Sequence, residues 1–82
     1  MESGTKPITP LQRAIDRADL SQRQVARKAD LPDAQVNRYA RGTNVPSLFI
    51  ARRIVAAMNG LIAESGGEPV TLDGLWPEGP DG

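Results

Sequence analysis

The chain has 82 residues and a formal net charge of zero, and it contains neither cysteine nor histidine. This length allows one domain, and the missing residue types exclude disulfide bonds, thiol or imidazole catalysis and the usual zinc sites. Since the sequence also has no glycine-rich phosphate loop and no cluster of metal ligands, we expect neither an enzyme nor a bound metal or cofactor.

The N-terminal segment, residues 1–8, has no signal-peptide core, and no stretch of the sequence is apolar enough to span a membrane. We therefore predict a flexible leader at residues 1–8 and one domain at residues 9–76. A frayed tail should follow at residues 77–82. We expect a cytoplasmic protein without a membrane partner.

The first predicted helix begins close to the start of this domain. Thr9 can cap it, and Pro10 suits its first position. Gln12 stands where a capping box needs it, and apolar residues at helical spacing continue the helix to about Asp19.

Two further short helices follow, separated by a tight turn. Ser21 and Gln24 have the spacing of a capping box, and the helix they begin ends before Pro32. The next helix covers residues 33–41 and stops at Gly42, a favourable C-terminal residue. Its polar and basic outer face contrasts with an apolar inner face.

A long helix and one short turn complete the predicted elements. Ser47 caps the long helix, which extends to about Ser65 before the glycine pair at residues 66–67. Thr71 can cap a last helical turn at residues 72–76.

The second and third helices have the spacing of a helix-turn-helix motif. Counted from Gln22, the fifth position needs a very small residue where the helices cross, and Ala26 provides it. Asp30 stands at the ninth position, where positive φ usually selects glycine and aspartate is better tolerated than most residues. The apolar positions of the motif are occupied by Val25, Ala29, Leu31, Val36 and Tyr39.

The ordered segments that carry a family resemblance are Leu20-Ser21-Gln22, Val25-Ala26, Val36-Asn37-Arg38, Arg41-Gly42 and Pro46-Ser47-Leu48. With this spacing, residues 10–60 resemble the Cro and lambda-repressor-like, or xenobiotic-response-element, class of helix-turn-helix domains, and residues 72–76 are similar to that family's last short helix. The resemblance implies an all-α, lambda-repressor-like bundle of four helices plus a short fifth, with the helix-turn-helix formed by helices 2 and 3. It also implies a small Cro-like repressor that binds double-stranded DNA.

The sequence departs from the family pattern in three places. Asp30 replaces the glycine of the turn. Ile15 and Ala40 occupy positions where the family often has a buried arginine–glutamate pair, and the joint loss of both charges is tolerable, whereas loss of one alone would be costly. The segment from Gly60 to Val70 is longer than the family's usual turn before the last helix.

The resemblance places the N-terminal half of helix 3 in the major groove. Arg38 can pair with guanine, and Ala34 can contact a thymine methyl group. Asp33 can accept from cytosine or simply favour the helix N-terminus. The residues implied for base reading are Asp33, Ala34, Asn37 and Arg38. The residues implied for phosphate contacts are Gln22, Arg41, Thr43, Asn44 and Ser47.

The charge distribution agrees with a DNA partner. Nine basic and four acidic residues between Pro10 and Met58 leave +5, and the five acidic residues after Met58 leave −5. A basic body of this kind is typical of polyanion-binding domains, although exposed charged helices in water produce the same pattern.

The sequence allows two kinds of protein partner, a second copy of this chain or a different protein. A single recognition helix reads few bases, so we expect a homodimer on a pseudo-palindromic operator, with the dimer contact at Leu61, Ile62, Leu75 or the loop between them. The alternative is an antitoxin or adaptor-type interaction module that docks on a protein partner through its acidic end or through helix 4.

Overall fold

The computed structural model describes residues 9–80 of the chain, which form an all-α fold. Its helices are α1 (Pro10–Arg17), α2 (Gln22–Ala29), α3 (Asp33–Arg41), α4 (Leu48–Ser65) and α5 (Leu72–Leu75). This order confirms the prediction of four helices and a short fifth. Within the described residues, no helix is both long and apolar enough to cross a membrane. The leader predicted at residues 1–8 and the end of the tail, residues 81–82, lie outside the described part.

Side-chain caps begin four of the helices at the predicted residues. The hydroxyl oxygen of each cap accepts a hydrogen bond from the backbone N–H three residues later, at Thr9, Ser21, Ser47 and Thr71. At Ser21 the capping box is complete, since Gln24 Oε1 accepts from the Ser21 N–H at 2.9 Å. The box predicted at Thr9 is wrong in its second half, because Gln12 Oε1 accepts from Gln22 Nε2 at 2.6 Å instead of from the Thr9 N–H.

Helices α1 to α4 all end in the same backbone geometry. A residue in the left-handed region follows each helix, and these residues are Asp19, Asp30, Gly42 and Gly66, with φ of 60°, 60°, 80° and 78°. The next N–H in each case reaches back to the carbonyl five residues earlier, which is the bond of a Schellman motif. Because Asp19 itself turns left-handed, α1 stops at Arg17, two residues before the predicted end.

One apolar core joins all five helices. It contains Leu11, Ile15, Val25, Ala26, Val36, Ala40, Ala51, Ile54, Met58, Ile62, Leu75 and Trp76. Ile15 and Ala40 are 1% and 3% exposed, so both positions of the missing ion pair are buried together, as predicted. Each fully buried aliphatic side chain of this kind contributes about 1.5–3 kcal/mol relative to an exposed one.

The same core corrects the predicted dimer contact. Ile62 and Leu75 are each 3% exposed, and Leu61 is half-buried against the core. Trp76 closes the core beside Leu75. Ile62 and Leu75 are therefore already occupied within one chain and are not free to join two copies, whereas a contact through Leu61 or through the loop stays a prediction.

The long connection between α4 and α5 is tied back to α4 by one side chain. Asn59 Nδ2 donates to the Val70 carbonyl at 3.1 Å, and Asn59 Oδ1 accepts from the Val70 N–H at 2.7 Å. This pair of hydrogen bonds satisfies both backbone polar groups of Val70, at the end of the extra segment. The longer connection therefore reaches α5 without disturbing the bundle.

Candidate nucleic-acid interface

The turn between α2 and α3 sets the position of the candidate interface. Val25, Ala26 and Val36 are completely buried where these two helices pack. The Leu31 N–H donates to the Ala26 carbonyl at 2.8 Å, which closes the turn around Asp30. The small side chain of Ala26 lets the helices approach closely, as the motif spacing predicts.

Arg53 of α4 also contacts this turn. Its Nη2 donates to the carbonyl of Ala29 at 2.7 Å, at the C-terminal end of α2. It also lies 3.8 Å from the carboxylate of Asp30. A cation at a helix C-terminus interacts favourably with the helix dipole and with its last carbonyls. The turn without glycine is therefore supported by a side chain that comes from outside the motif.

The left-handed conformation of Asp30 makes a direct prediction. Asp30→Gly should raise the free energy of unfolding by about 0.5–1 kcal/mol, because glycine has no Cβ to clash at positive φ. Little is lost with the carboxylate, since the Asp30 side chain is 98% exposed and such ion pairs are weak. Urea denaturation of the native chain, Asp30→Gly and the matched Asp30→Ala, which should be less stable than the native chain, checks this. An Asp30→Gly chain no more stable than the native one would contradict the prediction.

A chain of amide side chains crosses from α3 to α1. Asn37 Nδ2 donates to Gln22 Oε1 at 2.9 Å, and Gln22 Nε2 donates to Gln12 Oε1 at 2.6 Å. Gln12 Nε2 in turn donates to Asp16 Oδ1 at 2.8 Å. Ordered networks of this kind restrict the rotamers of their members. The network therefore fixes the Gln22 side chain at the first residue of α2.

This network includes one of the base-reading candidates, Asn37. The sequence prediction placed Asn37 among the base-reading residues, but its amide is half-buried and directed at Gln22. Asn37 therefore contacts α2 and holds the Gln22 side chain, and its reading of bases stays a prediction. Gln22 also has a second N–H on its amide, which can donate to a partner outside the chain.

The remaining base-reading candidates share the outer face of α3. Asp33, Ala34 and Arg38 are all exposed, whereas Val36 and Ala40 on the inner face are buried. The side chains expected to contact the DNA major groove therefore lie on the solvent-exposed side of α3.

An ion pair modifies one end of this face. Arg23 Nε lies 3.7 Å from Asp33 Oδ2, and both side chains are mostly exposed. A pair this exposed contributes about 0–1 kcal/mol, so it is easily exchanged for another partner. Asp33 thus links the start of α3 to α2. Its carboxylate also lies in the first turn of α3, where a negative charge interacts favourably with the helix dipole.

The phosphate candidates are divided between two places. Gln22 lies at the N-terminus of α2. The others follow the outer face of α3 along the chain, at the end of α3 and in the loop before α4, and are all exposed: Arg41, Thr43, Asn44 and Ser47. The Ser47 hydroxyl caps α4 and accepts from the Ile50 N–H at 3.3 Å.

Two residues that shape this surface were not predictable from the sequence. The local pattern indicates Gln12 only as a capping residue and Arg53 only as one of many charges. Their partners lie at least ten residues away in sequence, at Gln22 and Ala29. No local pattern indicates such contacts, because they depend on how the helices cross.

Comparison with known proteins agrees with the geometry. A family model described as helix-turn-helix matches residues 11–64, from the first turn of α1 to the last turn of α4. The match includes all nine candidate residues. No curated protein and no solved structure matches the chain significantly.

Proposed function

Because the chain belongs to the helix-turn-helix family of Cro and lambda-repressor-like DNA-binding domains, we propose that it is a small Cro-like repressor that binds double-stranded DNA at specific sequences. The observation that carries this proposal is the exposed outer face of α3, which presents Ala34 and Arg38 beside a helix contact braced by Asn37 and Gln22. A rigidly held helix with an arginine on its outer face suits the major groove.

In this proposal three residues read bases. Arg38 donates two parallel hydrogen bonds to a guanine, and Ala34 contacts a thymine methyl group. Asp33 accepts from a cytosine amino group when its pair with Arg23 opens. Asn37 acts through Gln22, since its amide is directed there.

The phosphate contacts hold the helix in register along the duplex. Gln22 donates through the second N–H of its amide, next to the N-terminus of α2, where anions are favoured. Arg41 supplies a positive charge directly after the groove-facing half of α3. Thr43, Asn44 and Ser47 add neutral donors from the loop and from the start of α4. Such contacts fix orientation without reading sequence.

One copy of this helix contacts too few bases for strong specificity, so the proposal includes a homodimer on a pseudo-palindromic operator. Binding of that site in the cytoplasm would block transcription by occupying the DNA. The second candidate function, an antitoxin or adaptor-type module with a protein partner, is favoured by one observation: Phe49 of α4 is an exposed aromatic side chain.

Selection of bound duplexes from a random library tests the proposed function. A preferred sequence, with affinity that falls steeply as salt rises, is the expected result, because phosphate neutralisation releases counterions. Equal affinity for all duplexes, or the absence of binding, would reject sequence-specific DNA recognition and favour the protein-interaction module.

The salt slope also separates the two kinds of phosphate contact. Arg41→Ala should reduce the slope of log affinity against log salt by about one, since one cation is removed. Gln22→Ala should lower affinity on all sequences while leaving the slope nearly unchanged, because glutamine is neutral. Affinities of both variants at four salt concentrations, on specific and scrambled duplexes, check this. A slope that falls equally in both variants would contradict these roles.

A further inference from the structure

The network of amide side chains between α3 and α1 ends on a carboxylate. Asp16, one turn after Gln12 on α1, accepts from Gln12 Nε2 at 2.8 Å. A side-chain amide can turn over and exchange its donor for its acceptor, whereas an ionised carboxylate only accepts. If the Gln12 amide turned over, its Oε1 would face Asp16 Oδ1, and two acceptors this close repel each other. Asp16 therefore determines how the Gln12 amide is oriented.

The orientation of Gln12 in turn determines that of Gln22. Since Gln12 Nε2 is used at Asp16, Gln12 presents Oε1 to Gln22, whose Nε2 donates to it at 2.6 Å. The Gln22 amide therefore directs its nitrogen toward α1 and its oxygen toward α3, where Asn37 Nδ2 donates to that oxygen at 2.9 Å. All three hydrogen bonds run in one direction, from α3 through α2 to the carboxylate on α1.

This direction decides what Gln22 can offer to DNA. Its oxygen is engaged by Asn37 and one N–H by Gln12, so the second N–H on Nε2 is the donor that remains for a partner outside the chain. A phosphate oxygen only accepts, and a Gln22 amide that had turned over would meet it with Oε1 and repel it. Gln12, Gln22 and Asn37 are half-buried, so water competes less for their hydrogen bonds than at exposed residues.

We propose that Gln12 and Asp16 of α1 are positioning residues for DNA binding, which hold the Gln22 amide in the one orientation that presents an N–H to a backbone phosphate. The inference rests on the proposed function. Both residues act through Gln22, so α1 contributes to affinity from outside the helix-turn-helix. Because a phosphate contact carries no sequence information, loss of either residue should weaken binding alike on all sequences.

Gln12→Met tests the first positioning residue. Methionine is similar in length and in helix propensity, but it has no amide to bind Gln22. Affinity of the full chain for the selected and scrambled duplexes should fall alike, by about three- to fivefold, without a change in the salt slope. In a Gln22→Ala chain the same substitution should change affinity by less than about 1.5-fold, because no amide is left to orient. An equal loss in both chains would overturn the positioning role.

Asp16→Asn tests the second positioning residue, with Asp19→Asn as the matched control. Asp19 is also exposed, lies just after α1 and has a positive φ that asparagine tolerates. Both variants lose one negative charge, and the effect of that charge on affinity is measured for each in a Gln22→Ala chain.

Asparagine can donate or accept, so it gives the network no preferred direction, and the native direction should be populated about half of the time. Relative to the charge effect, Asp16→Asn should therefore lower affinity about twofold and Asp19→Asn not at all. Asp16→Glu keeps a group that only accepts and should bind like the native chain. The role of Asp16 is rejected if the two asparagine variants behave alike after this correction. Thermal melts confirm that each variant is folded.

A measurement without DNA observes the orientation itself and separates this inference from the proposed function. In isotope-labelled protein, NMR contacts from the Gln22 Nε2 protons should lead to α1, and in Gln12→Met they should disappear while the backbone signals stay in place. Contacts that lead to α3 instead would overturn the positioning role alone, and so would unchanged affinity of Gln12→Met in a chain that prefers a sequence. A native chain that binds no duplex would overturn both proposals, even with the Gln22 amide oriented toward α1.

Discussion

Ile15→Arg is expected to lower the free energy of unfolding by about 3–5 kcal/mol, because it places an unpaired charge in the core. Ile15 is 1% exposed and shares one apolar cluster with Ala40. A domain of this size has a total stability of about 5–15 kcal/mol. The single variant should therefore lose a large part of the native stability and unfold at a clearly lower temperature than the native chain. Thermal and urea denaturation followed by circular dichroism measure the loss.

The rescue experiment tests the alignment of α1 with the family. Adding Ala40→Glu to Ile15→Arg restores both members of the ion pair that these relatives often have, so much of the lost stability should return. Ala40→Glu alone should be as damaging as Ile15→Arg alone, since it also buries one unpaired charge. Ile15→Leu is the matched apolar control and should cost less than about 1.5 kcal/mol. If the double variant is no more stable than either single variant, the two positions are not partners.

Arg38→Ala should weaken binding to the selected sequence by about 1–3 kcal/mol and relax the preference at one base pair. Arg38 is exposed on the outer face of α3, in line with Ala34. Its guanidinium can satisfy both acceptors of a guanine, and alanine can satisfy neither. Binding to unrelated duplexes should weaken less, since only the contribution of the charge to the general field is lost.

Arg52→Ala is the matched control for this variant. Arg52 is also exposed, but it stands on α4, so its removal changes the net charge equally without altering the face of α3. Affinities on the selected duplex and on duplexes with each base pair exchanged separate the two effects. If Arg38→Ala keeps the native preference at every base pair, α3 does not read bases through this residue.

Helix boundaries were predictable because they are local. The caps at Thr9, Ser21, Ser47 and Thr71 each bond to a backbone group three residues away, so their identity and spacing suffice. The ends at Gly42 and Gly66 depend on the backbone freedom of one residue. The end of α1 was not predicted correctly, because it depends on the left-handed conformation of Asp19, and a residue with a Cβ rarely adopts positive φ.

The core of the helix-turn-helix was also predictable from the sequence. Its apolar positions follow helical spacing, and the family resemblance supplied the pairing of the two helices. The outer face of α3 was predictable as well, because it consists of the residues that helical spacing places opposite the apolar face. Asp33, Ala34 and Arg38 are exposed as expected, whereas Asn37 is held at the contact with α2.

The sequence by itself thus determined the five helices, their ends apart from that of α1, and the basic outer face of α3, since each depends on residues at most five positions apart. The tertiary structure alone decided which side chains meet across helices. The links from Asn37 to Gln22, from Arg53 to Ala29 and from Asn59 to Val70 span 15, 24 and 11 residues. It also decided that Ile62 and Leu75 are core residues and that Phe49 is exposed. The physical reason is that helical periodicity shows which face of a helix is apolar, but only the crossing of the helices decides how much of that face is covered.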